Sequence, residues 1–284
     1  METKPDPRSS EVEPAAPFYT RYGIARTGER EAPLAITPYP EVCRAGRLRM
    51  TVLAAAVDIV GSLFTRERAG NDILFTTDLS VRMPRTPPPQ GLVARGRILR
   101  SGRTGVTTAV ALETRSDAGT GGAGAARDGA AWAYGETSFA RVARAEGASV
   151  TAADLALPNV FASNPLAQPL EDEVGVGVVD AARGEVELVL RRAVLNREAT
   201  LQGALVALLV ERAGEVLGES RLGEPQSVVG LDLRYLTTAK VGPVRSRAFF
   251  LGDPADGVLR VELRDCGRED RVTATAFLQI APAR

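Results

Sequence analysis

The sequence contains no histidine among its 284 residues. Histidine is the usual base in Ser-His-Asp and Cys-His nucleophile systems and a common zinc ligand, so those three kinds of site are excluded. Acid–base chemistry near neutral pH must then fall mainly to carboxylates, oriented water and helix ends. The two cysteines, Cys43 and Cys266, fit no metal or redox spacing, and we interpret them as buried thiols.

The chain also lacks a net charge and a long apolar run. The 35 Lys and Arg residues balance the 35 Asp and Glu residues, and the basic residues are spread evenly, which disfavours nucleic acid and membrane as partners. No apolar run reaches the roughly 18 residues of a membrane span. The first ten residues have no apolar signal core, so we expect a cytoplasmic protein.

An apolar helical stretch occurs twice in the sequence. Residues 48–64 are apolar on nearly every side and carry Asp58 in their middle, and residues 201–217 carry Glu211 in the same way. A helix that is apolar all round belongs inside a protein. An unpaired charge there costs roughly several kcal/mol, so each carboxylate needs a partner, a shifted pKa or a catalytic role.

The two halves of the chain also align outside these helices. The two carboxylates are 211 − 58 = 153 residues apart, and residues 79–83 match residues 231–235 at nearly the same offset. Repeats of this length are whole domains. We therefore predict four segments: a disordered tail over 1–17, a first domain over 18–144, a connector over 145–168 and a second domain over 169–284.

The order of elements predicts an α+β fold. A short strand at 34–39 precedes the first helix, which we expect over about 48–65, and the second helix is expected over about 199–217. Strand composition follows or precedes each helix, and the Gly- and Ala-rich residues 116–130 are interpreted as a flexible loop. A strand, a long buried helix and an antiparallel meander give a helix held by a curved sheet. The remaining strands are predicted at 73–83, 91–99, 105–114, 132–139, 174–179, 186–190, 228–236, 244–251, 258–263 and 272–280.

The second half carries the clearest family signature: Asn196, then Gln202-Gly203-Ala204, then Glu211. With the strand pair that follows, it resembles tandem hotdog-fold proteins of the acyl-CoA thioesterase superfamily, and is similar to phenylacetate-pathway and hydroxybenzoyl-CoA thioesterases. The resemblance covers roughly residues 34–283. It implies two hotdog domains in one chain, each with a long central helix wrapped by a curved antiparallel sheet.

The resemblance also implies site residues. In such enzymes a backbone N–H at the helix start polarises the thioester carbonyl, and a carboxylate from the partner hotdog acts as nucleophile or as base for water. Gly203 and Gln202 match the helix start, Asn196 matches an upstream amide, and Glu211 matches the carboxylate.

In the first half, Asp58 matches the carboxylate and Ser62 matches a hydroxyl one turn later, whereas Arg49-Met50-Thr51 has lost the glycine pattern. We therefore predict one competent site. In it, Asp58 and Ser62 of the first half face Asn196, Gln202 and Gly203 of the second half.

Each residue has a simpler interpretation as well. Asp58 could be a structural carboxylate, Glu211 a helix-end charge near the surface, Gln202 an ordinary helix start and Ser62 a small packing residue. Strand arginines such as Arg247 could contact CoA phosphates or simply be solvated.

The leading interpretation is a thioester hydrolase that acts on acyl-CoA or acyl-carrier substrates without a cofactor. The oligomeric state stays open, with a homo-oligomer through the hotdog sheets as one alternative. The rival is a non-catalytic hotdog protein that binds an acyl thioester or a small hydrophobic ligand. A hotdog dehydratase normally needs a histidine, which this chain does not have.

Overall fold

A computed structural model describes residues 18–28, 33–69, 72–115, 131–143, 165–196 and 198–283. The predicted tail (1–17), the predicted loop (116–130) and residues 145–164 of the predicted connector lie outside these ranges. The described part confirms the α+β class, because two long helices lie against a single antiparallel sheet.

The three α-helices of the described residues are α1 (Met50–Ala69), α2 (Leu170–Val174) and α3 (Gly203–Leu222). Five short 3-10 helices accompany them in the described residues: Phe18–Arg21, Pro40–Val42, Ala181–Arg183, Arg192–Val194 and Pro254–Asp256. None of the described helices is both long and apolar enough to cross a membrane. The strands are β1 (Ile24–Arg26), β2 (Leu34–Ile36), β3 (Cys43–Arg44), β4 (Arg47–Leu48), β5 (Ile73–Arg82), β6 (Leu92–Ser101), β7 (Gly105–Thr114), β8 (Ala131–Val142), β9 (Gly177–Asp180), β10 (Glu185–Leu188), β11 (Gln226–Tyr235), β12 (Val244–Phe250), β13 (Val258–Asp265) and β14 (Arg271–Pro282).

One continuous sheet holds both long helices. Its strand order is β1-β2-β6-β7-β8-β5-β11-β14-β13-β12-β10-β9, and each neighbouring pair is antiparallel. Helix α1 packs on β5 to β8, α3 packs on β10 to β14, and the two helices pack on each other. The core therefore lies between the sheet and the helix pair.

The two halves join at equivalent strands, β5 and β11. Ser80 pairs directly with Asp232 across this junction, and these two residues occupy the same position in the sequence repeat. Each strand also carries a bulge at its equivalent point, around Thr77 in β5 and Val229 in β11. A bulge increases the local twist of a strand, so both halves of the sheet curve around their helices in the same way.

The first eight residues of α1, Met50–Val57, are all buried. Small residues make this burial achievable. A Cβ on Gly61 would lie 2.3 Å from the Thr137 side chain, and one on Gly135 would lie 2.6 Å from the Val57 side chain. The helix and the sheet therefore approach each other more closely than larger residues allow.

Helix α3 is predicted to begin near residue 199 but begins at Gly203, because hydrogen bonds between the residues ahead of it form a tight turn instead. Asn196 N–H donates to the Thr200 carbonyl at 2.8 Å, and Leu195 bridges to Leu201. The strand predicted at 174–179 is wrong in its first three residues. Val174 ends α2, which Gly175 terminates in the left-handed conformation, and β9 begins only at Gly177.

Candidate functional site

Asp58 is half-buried in the middle of α1. Its Oδ1 accepts a hydrogen bond from the hydroxyl of Thr76, on β5, at 2.8 Å. Burial raises the pKa of the Asp58 carboxyl to about 6, and the Thr76 hydrogen bond lowers it only in part. Such a carboxyl changes its protonation state near the pH at which a general base must work.

Tyr235, at the end of β11, links this carboxylate to the start of α3. Its hydroxyl donates to the Gly203 carbonyl at 3.1 Å. Burial raises the pKa of Tyr235, and the nearby charge of Asp58 raises it further. The Tyr235 hydroxyl therefore lies at the start of α3 and within electrostatic range of Asp58.

The amino end of α3 is open. Gly203 is exposed and Ala204 is half-buried, and no described residue accepts a hydrogen bond from the backbone N–H of either one. The first N–H groups of a helix have no partner within it, and they carry the positive end of the helix dipole. An oxygen that gains negative charge would be stabilised here.

Gln202 is buried, with only 3% of its surface exposed. Its side-chain amide donates to the carbonyls of Ala193 and Leu195 at 3.0 and 3.2 Å. Its oxygen accepts from the Phe18 N–H at 3.0 Å. These bonds fix the turn ahead of α3 to the amino-terminal segment, so the side chain holds the helix start in place.

Asn196 and Ser62 also use their side chains within the protein. The Asn196 side-chain oxygen accepts from the N–H groups of Glu198 and Thr200 at 3.1 and 3.0 Å, which shapes the same turn. The Ser62 hydroxyl donates to the Ile59 carbonyl at 2.8 Å, one helical turn earlier. Asn196 and Gln202 therefore stabilise the turn that precedes Gly203. Ser62 lies one helical turn after Asp58 on α1.

Glu211 occupies the equivalent position in α3, since 58 − 50 and 211 − 203 both equal 8 residues from the helix start. Its two oxygens accept from the Met50 and Thr51 N–H groups at 2.8 and 2.9 Å, and the Thr51 hydroxyl adds a bond of 2.5 Å. Glu211 is 2% exposed, so its interpretation as a helix-end charge near the surface is wrong. The first N–H groups of α1 are already occupied.

A buried ion-pair cluster fills the rest of this second region. Arg49 pairs with Glu171 of α2 and with Glu215, 3.5 Å away. Arg44 pairs with the same two carboxylates at 3.2 and 3.3 Å, and with Glu219 at 2.5 Å. Arg49 and Glu215 are 2% and 1% exposed. The cluster joins the two long helices to α2 and the β3–β4 hairpin.

Burial raises the pKa of the Glu215 carboxyl to about 7, and the charge of Glu211 acts in the same direction. Arg49, Arg44 and Arg212 lower this pKa but do not cancel the effect of burial. The described part of the chain contains no cluster of three or more Cys, Asp or Glu residues suited to a metal ion. Cys43 and Cys266 are free and half-buried rather than fully buried.

Sequence reasoning missed Thr76, Tyr235 and the Arg49 cluster. The repeat contains a signal for the first two. Thr76 and Tyr235 carry a hydroxyl, whereas the equivalent residues of the other half, Val228 and Met83, carry none. In the sequence, Arg49 is notable only because it stands at a helix start that lacks the glycine pattern. Its charge becomes meaningful once α2 brings Glu171 alongside it.

No protein-family model and no curated protein matches the chain. Solved structures do. An acyl-ACP thioesterase from Bacteroides thetaiotaomicron is 11% identical, with a TM-score of 0.56 over 87% of this chain and 96% of its own. A 12:0-ACP thioesterase from Umbellularia californica is 12% identical, with a TM-score of 0.54 over 87% and 96%.

A conserved protein of unknown function with a hot dog fold, from Alicyclobacillus acidocaldarius, is 15% identical, with a TM-score of 0.51 over 93% of this chain and 97% of its own. These likenesses span nearly the full length of each neighbour. They agree with the architecture described above, in which two long helices each lie in their own half of one curved sheet. The chain has the hotdog fold.

Proposed function

We propose that this protein hydrolyses acyl thioesters at a composite site formed by Asp58, Thr76 and the amino end of α3. The observation that carries the proposal is that Tyr235 binds the Gly203 carbonyl at the open start of α3 and also feels the charge of Asp58, a carboxyl whose pKa burial raises. Thioester hydrolysis needs both a base for water and donors for the carbonyl oxygen. With no histidine in the chain, the base has to be a group such as Asp58.

The chemistry follows from these positions. The thioester carbonyl oxygen lies at the N–H groups of Gly203 and Ala204, which stabilise the negative charge that develops on it. Asp58 accepts a proton from a water molecule as the water oxygen bonds to the carbonyl carbon. The carbon–sulfur bond then breaks, the electron pair goes to sulfur, and the thiolate takes the proton back from Asp58, which leaves a thiol, a carboxylic acid and the restored Asp58 carboxylate.

A covalent variant of this route uses the same residues. Asp58 attacks the carbonyl carbon, the thiolate leaves, and water hydrolyses the resulting anhydride so that the carboxylate is restored. Both routes require Asp58 in its charged form. In oxygen-18 water, label on Asp58 after a single turnover would identify the covalent route with attack of water on the Asp58 carboxyl carbon, because the general-base route leaves the label only in the product acid.

We infer one such site in each chain. At the other end of the helix pair, Glu211 holds the N–H groups of Met50 and Thr51, so a substrate carbonyl would have to displace a carboxylate from them. Arg49 and Glu215 are committed to the ion-pair cluster beside it. The hydrogen bonds and ion pairs of this region hold α1 and α3 together.

The substrate class is an acyl thioester of CoA or of a carrier protein. Two of the structural neighbours are named as thioesterases of acyl-ACP and 12:0-ACP, which favours this class over other carbonyl compounds. The half-buried position of Asp58 leaves the carboxylate accessible while its pKa stays raised.

The test is steady-state hydrolysis of a panel of acyl-CoAs and acyl-carrier thioesters by the wild type, Asp58→Asn and Glu211→Gln. We expect Asp58→Asn to lower kcat by at least a hundredfold on the best substrate. The Glu211→Gln variant, assayed per folded molecule, should keep a value within threefold of the wild type. Equal and slow turnover by all three proteins on every substrate would refute catalysis.

A non-catalytic acyl-binding protein is the second candidate. It is favoured by the hydrogen bonds that occupy the side chains of Asn196 and Gln202, because these amides are not free to contact a substrate. The same panel separates the two candidates, since a binding protein would bind a non-hydrolysable acyl-CoA thioether as tightly as the thioester and turn over neither.

A further inference from the structure

The two residues that precede the long helices, Arg49 and Gln202, occupy equivalent positions, since α1 begins at Met50 and α3 begins at Gly203. The start of α1 is filled by the Glu211 carboxylate, whereas the start of α3 is open. The short helix α2 is connected to both. It contacts the first start directly, and it reaches the second through two short segments of the chain.

Helix α2 is anchored in the core by its apolar side chains. Leu170 and Val174 are both fully buried. Gly175 follows in the left-handed conformation, and its N–H donates to the carbonyls of Glu171 and Asp172, which closes the helix. Because packing and hydrogen bonds fix the backbone of α2, its carboxylates project from a rigid support.

One carboxylate of α2 contacts the residue ahead of α1. Glu171 is 8% exposed, and its Oε1 pairs with Arg49 and, at 3.2 Å, with Arg44. Both arginines also pair with Glu215 of α3. Helix α2 is therefore fixed against the closed end of the helix pair.

A second carboxylate, Glu173, provides the first route from α2 to the start of α3. Its Oε1 accepts a hydrogen bond from Arg21 at 2.8 Å, and the two side chains are 21% and 28% exposed. Arg21 ends the 3-10 helix that begins at Phe18. The Phe18 N–H donates to the side-chain oxygen of Gln202 at 3.0 Å, so the ion pair fixes the segment that binds one end of the Gln202 amide.

The second route runs through Arg191. Its guanidinium donates to two carbonyls at the carboxyl end of α2, at 3.1 and 2.9 Å. The 3-10 helix Arg192–Val194 follows directly, and the side-chain amide of Gln202 donates to the Ala193 carbonyl at 3.0 Å. The two routes thus form a closed ring of contacts that begins at α2 and meets at Gln202.

The ring of contacts ends next to Gly203, whose N–H receives the thioester oxygen in the proposed reaction. The first N–H groups of a helix have no partner within the helix to fix them, and oxyanion donors are effective only when they are preorganised. A displacement of about 1 Å can lower a rate by roughly a hundredfold. The ring of contacts supplies this support from outside α3.

We propose that Arg21 and Glu173 are positioning residues, which fix the oxyanion donors at the start of α3 through the 3-10 helix Phe18–Arg21 and Gln202. The kinetic consequence rests on the proposed thioester hydrolysis. The structural consequence, an ordered start of α3, is measured without any substrate. An ion pair of this exposure contributes little to global stability, so its loss should act on the helix start rather than on unfolding.

The test compares Glu173→Gln with Glu113→Gln. Glu113 pairs with Arg95 at 2.9 Å, and these side chains are 21% and 26% exposed, so this pair on β6 and β7 matches the first in geometry but lies outside the ring of contacts. We expect Glu173→Gln to lower kcat roughly fivefold or more, with KM and the pH midpoint of kcat/KM unchanged. Glu113→Gln should leave kcat unchanged, and an equal kcat in the two variants would overturn the proposal.

A double-variant cycle with Gln202→Leu tests the route itself. If the ion pair acts through Gln202, then Glu173→Gln should have no further effect on kcat in the Gln202→Leu background. Multiplicative effects of the two changes would overturn the proposal. Arg21→Gln breaks the same ion pair from its other side, and it should reproduce the effect of Glu173→Gln, which guards against a folding defect of one variant.

Hydrogen exchange of the full chain separates this proposal from the proposed catalysis. At a single pH and without substrate, the amides of residues 199–206 should exchange roughly threefold or more faster in Glu173→Gln than in the wild type or Glu113→Gln. Faster exchange in a protein that hydrolyses no thioester would support the ordering of the helix start and refute only the hydrolysis. Equal exchange in all three proteins would overturn the positioning role.

Discussion

The Glu211 carboxylate accepts hydrogen bonds from the Thr51 backbone N–H at 2.9 Å and from the Thr51 hydroxyl at 2.5 Å, so a side chain of α3 caps the start of α1. In the equivalent place Asp58 leaves the start of α3 open. Two positions related by the repeat have therefore diverged, one toward stability and the other toward an accessible site.

Replacing Glu211 by Gln should destabilise the protein by roughly 2–4 kcal/mol, because it removes a buried charge that caps α1 and that faces Arg49. Chemical denaturation at pH 7 measures this loss. Glu219→Gln is the matched control on the same helix, and we expect it to cost less than about 1 kcal/mol because that carboxylate is partly exposed. Equal costs for the two variants would show that the cap is not the source of the stability.

Glu215 should make stability depend on pH between about 4.5 and 7. Its pKa in the folded protein is about 7, above its usual 4.5, so the folded state binds the proton more tightly than the unfolded state does. The resulting stability is fully present below about 4.5 and is lost as the pH rises through 7. Unfolding free energies at half-unit pH steps should therefore fall less steeply for Glu215→Gln than for the wild type. Parallel curves would contradict this assignment.

The fold could be predicted from the sequence largely because the repeat was readable. Helices that are apolar on all sides, and strands with β-branched residues, indicate their burial and secondary structure through their own residue types. The alignment of residues 79–83 with 231–235 even anticipated the strands that meet at the Ser80–Asp232 pair. Helix α2 was missed, because five residues between Pro169 and Gly175 are too few for a periodic pattern.

The candidate site was predictable only in part, for a physical reason. Asp58 and Gly203 are recognised as candidates from their residue types and their positions in the two helices, and these are properties that a sequence pattern displays. The side chains of Gln202 and Asn196 satisfy backbone groups in a turn, and Tyr235 reaches Gly203 from another strand. Such long-range contacts depend on tertiary packing, which one sequence does not display.

The rate of hydrolysis should rise with pH through about 6, because Asp58 acts in its charged form and its pKa is about 6. Thr76→Val removes the hydrogen bond that lowers this pKa, so the midpoint of the kcat/KM profile should move to higher pH. Thr76→Ser keeps the hydroxyl and should leave the midpoint where it is. A midpoint that stays fixed in Thr76→Val would exclude Asp58 as the titrating group.

Asp58 should also reduce stability at alkaline pH. Its folded pKa of about 6 exceeds the usual 3.8, so the stability linked to this carboxyl is present below about 3.8 and is lost as the pH rises through 6. Asp58→Asn should therefore unfold with about 1–2 kcal/mol more free energy than the wild type at pH 8. The gain should disappear at pH 4, and a variant that is destabilised at pH 8 would contradict the desolvated charge.

Gly203→Ala should separate catalysis from folding. A Cβ at this position would lie 3.7 Å from the Tyr235 hydroxyl, an ordinary contact, and alanine favours a helix by roughly 1 kcal/mol over glycine. The variant should therefore be as stable as the wild type, while its kcat/KM falls roughly tenfold or more because the methyl group obstructs the approach of a thioester carbonyl to the backbone. Gly214→Ala is the contrasting change in the same helix: its Cβ would lie 2.5 Å from Leu278, so it should lower stability and leave turnover per folded molecule unchanged. Unaltered kcat/KM in Gly203→Ala would move the oxyanion donors away from the start of α3.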